Sequence, residues 1–176
     1  DDVFPFTIDA LARHGVTLIN TFDALNDVRN MAVSIQATHD AGLHAVASIV
    51  FSESPVHTDA HFVAKAKALV ALGVHGVQLK DSGALLTPDR VRTLVPALRA
   101  AIGDEVDLHF HPHCSSGLGP LVTLEALPLG VDVVHTAISP LANGSSQPAT
   151  EMIAREARNM GLDVDLDFDK VDKIAE

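Results

Sequence analysis

The chain has 176 residues, with 12 Lys and Arg against 23 Asp and Glu and a formal net charge of −11. That acidic surplus disfavours nucleic acid as a partner, because Lys and Arg must replace the counterions around phosphates. At 47% hydrophobic the chain can bury a sizeable core, which excludes intrinsic disorder, yet no apolar run approaches the ~18 residues of a spanning helix and no basic amphipathic stretch suggests a membrane surface.

The length suits one domain over residues 1–176, with no polar linker or shift in composition to divide it. A single cysteine, Cys114, makes no internal disulfide, so stability rests on packing and a reducing, cytoplasmic compartment is expected. The opening Asp1-Asp2-Val3-Phe4-Pro5 is neither a signal peptide nor an initiator Met.

Six glycines set a rhythm: Gly15, Gly42, Gly73, Gly103, Gly130 and Gly161 fall 27, 31, 30, 27 and 31 residues apart. Most close a helix-patterned run and precede a short apolar stretch, as expected of helix-ending glycine. In chain order the pattern predicts a helix over about 2–14 and a strand over 16–19. A helix over 28–41 and a strand over 44–50 follow, then a helix over 59–72 and a strand over 77–79. The remaining pairs are 88–102 with 106–110 and 120–129 with 131–134, and a helix over 149–160 closes the series. Thr58-Asp59 and Thr87-Pro88-Asp89 open two of the helices with capping residues. Pro96 falls inside the helix expected at 88–102, where it should kink or break it.

The strands are short, β-branched and largely apolar, as in parallel strands covered on both faces. Strands alternating with helices predict a parallel sheet with right-handed crossovers, either doubly wound or a (β/α)8 barrel. No glycine-rich phosphate loop follows any strand, which counts against a dinucleotide fold. A full barrel needs about 250 residues, so five strands would make a partial one.

Polar residues gather just after the strands, the face where barrels keep their chemistry. His109, His111 and His113 alternate, so all three could project to one side and offer nitrogen ligands to a divalent metal; scattered loop histidines are the plainer alternative. Lys80, after an apolar strand, is either paired with Asp81 or desolvated enough to present a neutral amine. A neutral amine takes up carbon dioxide to form a carbamate, an anionic ligand suited to a metal held by two imidazoles.

Six motifs in order resemble one family: Phe22 to Met31, Ser54 to Thr58, Leu79-Lys80-Asp81, Leu85 to Pro88, His111 to Gly117, and Thr136 to Pro140 with Ser146-Gln147-Pro148. They are similar to the carboxyltransferase domain of pyruvate carboxylases, the oxaloacetate decarboxylase α subunit and the transcarboxylase 5S subunit, in the HMG-CoA lyase-like superfamily. The resemblance implies a (β/α)8 TIM barrel of which this chain covers about strands 4 to 8, with the helix before them. It implies a divalent metal (zinc, manganese or cobalt) held by carbamylated Lys80, His111, His113 and an Asp of the absent first strand. His109 matches a further His that is not a ligand in the family. Ser145 stands where the family has a Thr that moves a proton to or from biotin, so Lys80 and Ser145 are the implied catalytic residues and Ser145 the biotin-facing one.

The implied reaction is carboxyl transfer between carboxybiotin and a pyruvate- or oxaloacetate-like 2-oxo acid. Biotin would be carried on another domain or chain, since no Met-Lys-Met attachment site occurs. The missing N-terminal half of the barrel is a further implied partner, and open sheet edges make an oligomer expected. The family's Lys-Asp-Met-Ala-Gly becomes Lys80-Asp81-Ser82-Gly83-Ala84, its Val-Asp-Thr becomes Val134-His135-Thr136, and Cys114 follows the His motif. Two alternatives stay open: a metal-dependent lyase or aldolase of the same superfamily, and a catalytically incomplete structural fragment.

Overall fold

The computed structural model describes residues 3–176. Five parallel strands lie side by side in chain order: β1 (Leu18–Phe22), β2 (His44–Val50), β3 (Gly76–Asp81), β4 (Asp107–Pro112) and β5 (Val133–Val134). Between and around them run α1 (Val3–Arg13), α2 (Val28–Asp40), α3 (Asp59–Val70), α4 (Pro88–Ile102), α5 (Gly119–Ala126), α6 (Thr150–Asn159) and α7 (Phe168–Ala175). Because each strand pairs with its predecessor, the order never reverses, as a doubly wound sheet would require.

Strand alternation sorts the side chains. Ala45, Ala47 and Ile49 of β2, Val77 and Leu79 of β3, and Leu108 and Phe110 of β4 join one core with Met31, Phe62, Leu69, Leu94 and Leu98 from the helices. Their alternate neighbours, Ser48, Gln78, Lys80, His109 and His111, therefore belong to the opposite face. Register aligns them: Ser48 pairs with Gln78 and Gln78 with His109, while Val50 pairs with Lys80 and Lys80 with His111. The helices cover one face of the sheet, and the other carries the polar residues.

The caps behave as their sequences suggest. Thr58 accepts a hydrogen bond from His61 N–H, and Thr87 accepts one from Arg90 N–H, both at 3.3 Å. Pro96 is tolerated inside α4, which runs on to Ile102. Pro96 and Arg92, whose carbonyl loses its donor, are both exposed, so water can satisfy the freed group.

Several boundaries differ from expectation. The expected start of the first helix, Asp2, lies outside the described residues. Val16 belongs to the turn closing α1, where its N–H donates to Leu11 O at 3.1 Å and Gly15 has φ 87°, so β1 begins at Leu18 and takes in Asn20 and Thr21. The expected helix 120–129 ends at Ala126 and tightens into a 3-10 turn over Leu127–Leu129, since Pro128 has no N–H to continue it. β5 keeps only Val133 and Val134, because the preceding Asp132 turns its carboxylate to Leu108 N–H and Arg99. Helix α7 is unforeseen; Phe168 lies between the Arg155 and Arg158 guanidinium groups at 4.5 and 4.3 Å, and Asp167 caps it through Lys170 N–H.

Candidate functional site

The C-terminal ends of β3, β4 and β5 meet over the polar face, and His111 is the centre of what they carry. Its Nε2 lies 3.3 Å from Lys80 Nζ, 3.2 Å from His113 Nε2 and 3.2 Å from Gln147 Nε2. Its Nδ1 lies 2.9 Å from His135 Nδ1, and His135 Nε2 lies 3.3 Å from His109 Nδ1. The alternation expected for His109, His111 and His113 thus brings all three to one side. His113 stands just past β4, and its Nδ1 donates to the Ser145 carbonyl at 2.7 Å.

Ser145 itself is exposed, in a turn where Asn143 and Gly144 have φ 66° and 54°. Cys114 N–H donates to Ser146 O at 2.9 Å and pins that turn against the histidine motif. The Ser145-Ser146-Gln147 segment is therefore held at the rim of the cluster by its main chain.

Burial dominates the electrostatics. It pushes His111 down to about 3, helped by the charges of Lys80, His135 and His113. It lowers His109 and His135 as well, and the Lys80 ammonium is lowered by the same desolvation. His109, His111 and His135 are thus neutral near pH 7, the form in which an imidazole nitrogen binds a metal.

Lys80 does not pair with Asp81, which is the next strand residue and faces the other way. Asp81, 1% exposed, takes Leu85 N–H on Oδ1 at 2.9 Å and Leu86 N–H on Oδ2 at 2.8 Å. Burial raises its carboxyl and those two donors oppose the rise. The loop it clasps contains Ala84 at φ 53°, an alanine in the left-handed region favoured by glycine. Its carbonyl accepts His113 N–H at 3.1 Å, so the Asp of the Lys-Asp pair organises the loop and helps place His113.

The other strand-end motifs serve local structure. Asn26 holds Val50 by both N–H and carbonyl, at 2.7 and 2.8 Å, and Asp23 accepts from Leu25 and Asp27 N–H. Ser54 Oγ meets His57 Nδ1 at 2.7 Å. The Cys114 thiol is buried against Gly119, where a Cβ would stand 2.4 Å from Sγ; burial raises its pKa. Cys114 thus fills space beneath the turn.

Sequence reasoning missed the polar layer below Lys80. Asn20 Nδ2 donates to Gln78 Oε1 at 2.6 Å, and Ser48 Oγ donates to Asn20 Oδ1 at 2.7 Å. With Phe22, Lys80, His111 and His135 they line an open depression. Gln78 at the middle of an apolar strand was the available signal. A larger depression, walled by Val134, Ile153 and Leu162, lies between β5 and α6 and contains none of this cluster.

Among the described residues, no group of three or more His, Cys, Asp or Glu side chains is arranged to hold a metal ion. The donors on offer are His111, His113 and Lys80. Two imidazole nitrogens bound tetrahedrally at 2.0–2.1 Å stand about 3.3 Å apart, and His111 and His113 Nε2 are 3.2 Å apart. The pair fits a divalent cation, and an amine lowered by burial fits a carbamate beside it.

Sequentially wound parallel strands, helices on one face and titratable groups at the strand C-termini on the other make an α/β domain of the kind found over part of a TIM barrel's length. The chain belongs to the HMGL-like family, matching its family model over residues 12–176, as a carboxyltransferase domain related to pyruvate carboxylase and the transcarboxylase 5S subunit. It is 35% identical to the methylmalonyl-CoA carboxyltransferase 5S subunit of Propionibacterium freudenreichii over 99% of this chain and 34% of that one. It is 37% identical to a pyruvate carboxylase subunit of Methanocaldococcus jannaschii over 99% of this chain and 30% of that one. It superposes with a TM-score of 0.94, at 29% identity, on the carboxyl transferase domain of Rhizobium etli pyruvate carboxylase solved with pyruvate and biocytin, covering 99% of this chain and 30% of that one. The chain spans about a third of the length of the curated relatives it matches.

Proposed function

We propose that this chain supplies the metal-binding and proton-moving part of a biotin-dependent carboxyltransferase, acting between carboxybiotin and a pyruvate- or oxaloacetate-like 2-oxo acid. Its strands correspond to the fourth to eighth of a (β/α)8 barrel, and its partners are the strands that complete the barrel and a biotin carrier domain. The observation that carries the reading is the meeting of Lys80 Nζ and His113 Nε2 at 3.3 and 3.2 Å from His111 Nε2. The solved relative bound to pyruvate and biocytin supports the substrate class.

Lys80 attacks carbon dioxide through Nζ and loses a proton, forming a carbamate oxygen donor beside His111 and His113. Lys80, His111 and His113 would hold a divalent cation, which would supply Lewis acidity toward the 2-oxo acid carbonyl. The Ser145 hydroxyl moves a proton between the methyl carbon of pyruvate and the biotin urea nitrogen. The Ser145 carbonyl orients the His113 ring, which supports a role for this turn beside the cluster. Gln147 Nε2 at 3.2 Å from His111 draws the Ser-Gln-Pro motif into the cluster, which favours this reading over the lyase alternative.

The test is biotin-dependent oxaloacetate decarboxylation by the chain alone and with the N-terminal part of the barrel supplied as a second polypeptide. Turnover is expected only in the complemented barrel, and only while Lys80 is present. A folded, metal-loaded complemented barrel with no turnover would sink the proposal, as would full turnover in Lys80→Ala.

A further inference from the structure

The sequence Val134-His135-Thr136 places an imidazole where the resembled pattern has a carboxylate, and the hydrogen-bond geometry assigns that imidazole a task. The Gln147 amide nitrogen can only donate and lies 3.2 Å from His111 Nε2, with Lys80 Nζ 3.3 Å from the same atom. His111 Nε2 is therefore the bare nitrogen and Nδ1 carries the hydrogen. Nδ1 donates to His135 Nδ1 at 2.9 Å, so His135 holds its own hydrogen on Nε2 and donates it to His109 Nδ1 at 3.3 Å. With this polarity the remaining hydrogen of His109 sits on Nε2, which is buried and has no hydrogen-bond partner among the described residues.

His113 is set independently. Its Nδ1 faces the Ser145 carbonyl, which only accepts, so in the neutral ring Nε2 is also bare. With both rings in these tautomers the two Nε2 atoms lie 3.2 Å apart, a spacing that suits a shared cation.

We propose that His135 is the positioning residue of this site: backed by His109, it accepts the Nδ1 hydrogen of His111 and so holds the His111 Nε2 lone pair toward Lys80 and His113. Resting on the metal reading above, this makes a neutral imidazole pair the outer support of a metal-ligating histidine, the task usually given to a carboxylate or carbonyl. Gly76 makes room for it, because a Cβ there would stand 3.0 Å from His109 Nε2.

Two measurements on the 176-residue chain test it. Long-range proton–nitrogen NMR should show His111 with its hydrogen on Nδ1 and His135 with its hydrogen on Nε2; a His111 hydrogen on Nε2 would overturn the proposal. In cobalt(II) titrations followed by the visible spectrum, His135→Phe should weaken binding by about 10- to 100-fold, and His135→Asp should restore it. Equal affinity in wild type and His135→Phe would also overturn it. A wild-type chain that binds no cobalt refutes the metal reading and not this one, which the tautomer spectrum of the same sample then decides.

Discussion

Asp81 offers a sharp test, because its place beside Lys80 invites a chemical role and its contacts give it a structural one. Its two carboxylate oxygens hold Leu85 and Leu86 N–H at 2.9 and 2.8 Å, and Leu86 is 0% exposed. A hydrogen bond to a charged group contributes roughly 1.5–3 kcal/mol, and an orphaned buried donor loses a similar amount. Asp81→Ala strands both amides and should lower stability by about 3–5 kcal/mol, a large share of the 5–15 kcal/mol typical of a domain. Asp81→Asn keeps one acceptor and should lose roughly half as much. Urea denaturation of wild type and the two variants reads the difference directly. If both variants unfold within about 0.5 kcal/mol of wild type, the clasp is not what holds this loop, and Asp81 must be given another role.

Further outcomes follow from the same contacts. Gly76→Ala drives a Cβ to 3.0 Å from His109 Nε2 and 3.2 Å from Val46 Cγ2, and should destabilise the fold by about 1–3 kcal/mol in denaturation; no change would mean that the polar face repacks freely. His111 falls from its usual 6.5 to about 3 in the folded chain, so the unfolded chain takes up the proton first on acidification. The resulting stability is complete above pH 6.5 and declines as pH falls toward 3, with His109 and His135 acting in the same direction. Denaturation midpoints of the metal-free chain should therefore drop between pH 7 and 4, less so in His111→Asn, and an equal drop in both would contradict the assignment. β1 is an edge strand with Leu18 41% and Phe22 56% exposed, so the isolated chain should self-associate; a monodisperse monomer in light scattering would count against this.

Much of the fold is legible because two local rules act together. Glycine at φ 70° to 95° ends several helices, as at Gly42, Gly73 and Gly130, and short apolar runs then enter the sheet. The rules blur where tertiary pairing decides. Val16 looks like a strand residue but is taken by the turn of α1, and Asn20 and Thr21 look like loop but pair with β2. Helix α7 has no buried residue and is fastened by Arg155 and Arg158 from α6, a contact no periodicity announces.

The site was half visible. Alternation put His109, His111 and His113 on one side of β4, and an amine at a strand end marked Lys80. Lys80 and Asp81 are successive residues of β3, so strand alternation puts them on opposite faces, and register sets Lys80 beside His111. Gln78, Ser48 and Gln147 reach the cluster only because β2, β3 and the turn after β5 converge in space. His135 lies 24 residues from His111 in sequence and 2.9 Å from it in the fold. Among the described residues no helix is long and apolar enough to cross a membrane, in keeping with the hydropathy of the sequence.

If Lys80, His111 and His113 form a metal site, the folded chain should carry metal. The chain would be purified folded from cells grown with bicarbonate, beside a Lys80→Ala control, and both analysed for zinc, manganese and cobalt. Near-stoichiometric metal is expected in the wild type, with a clear fall in the control. A folded wild-type chain without metal, or a control that holds as much as the wild type, would contradict it.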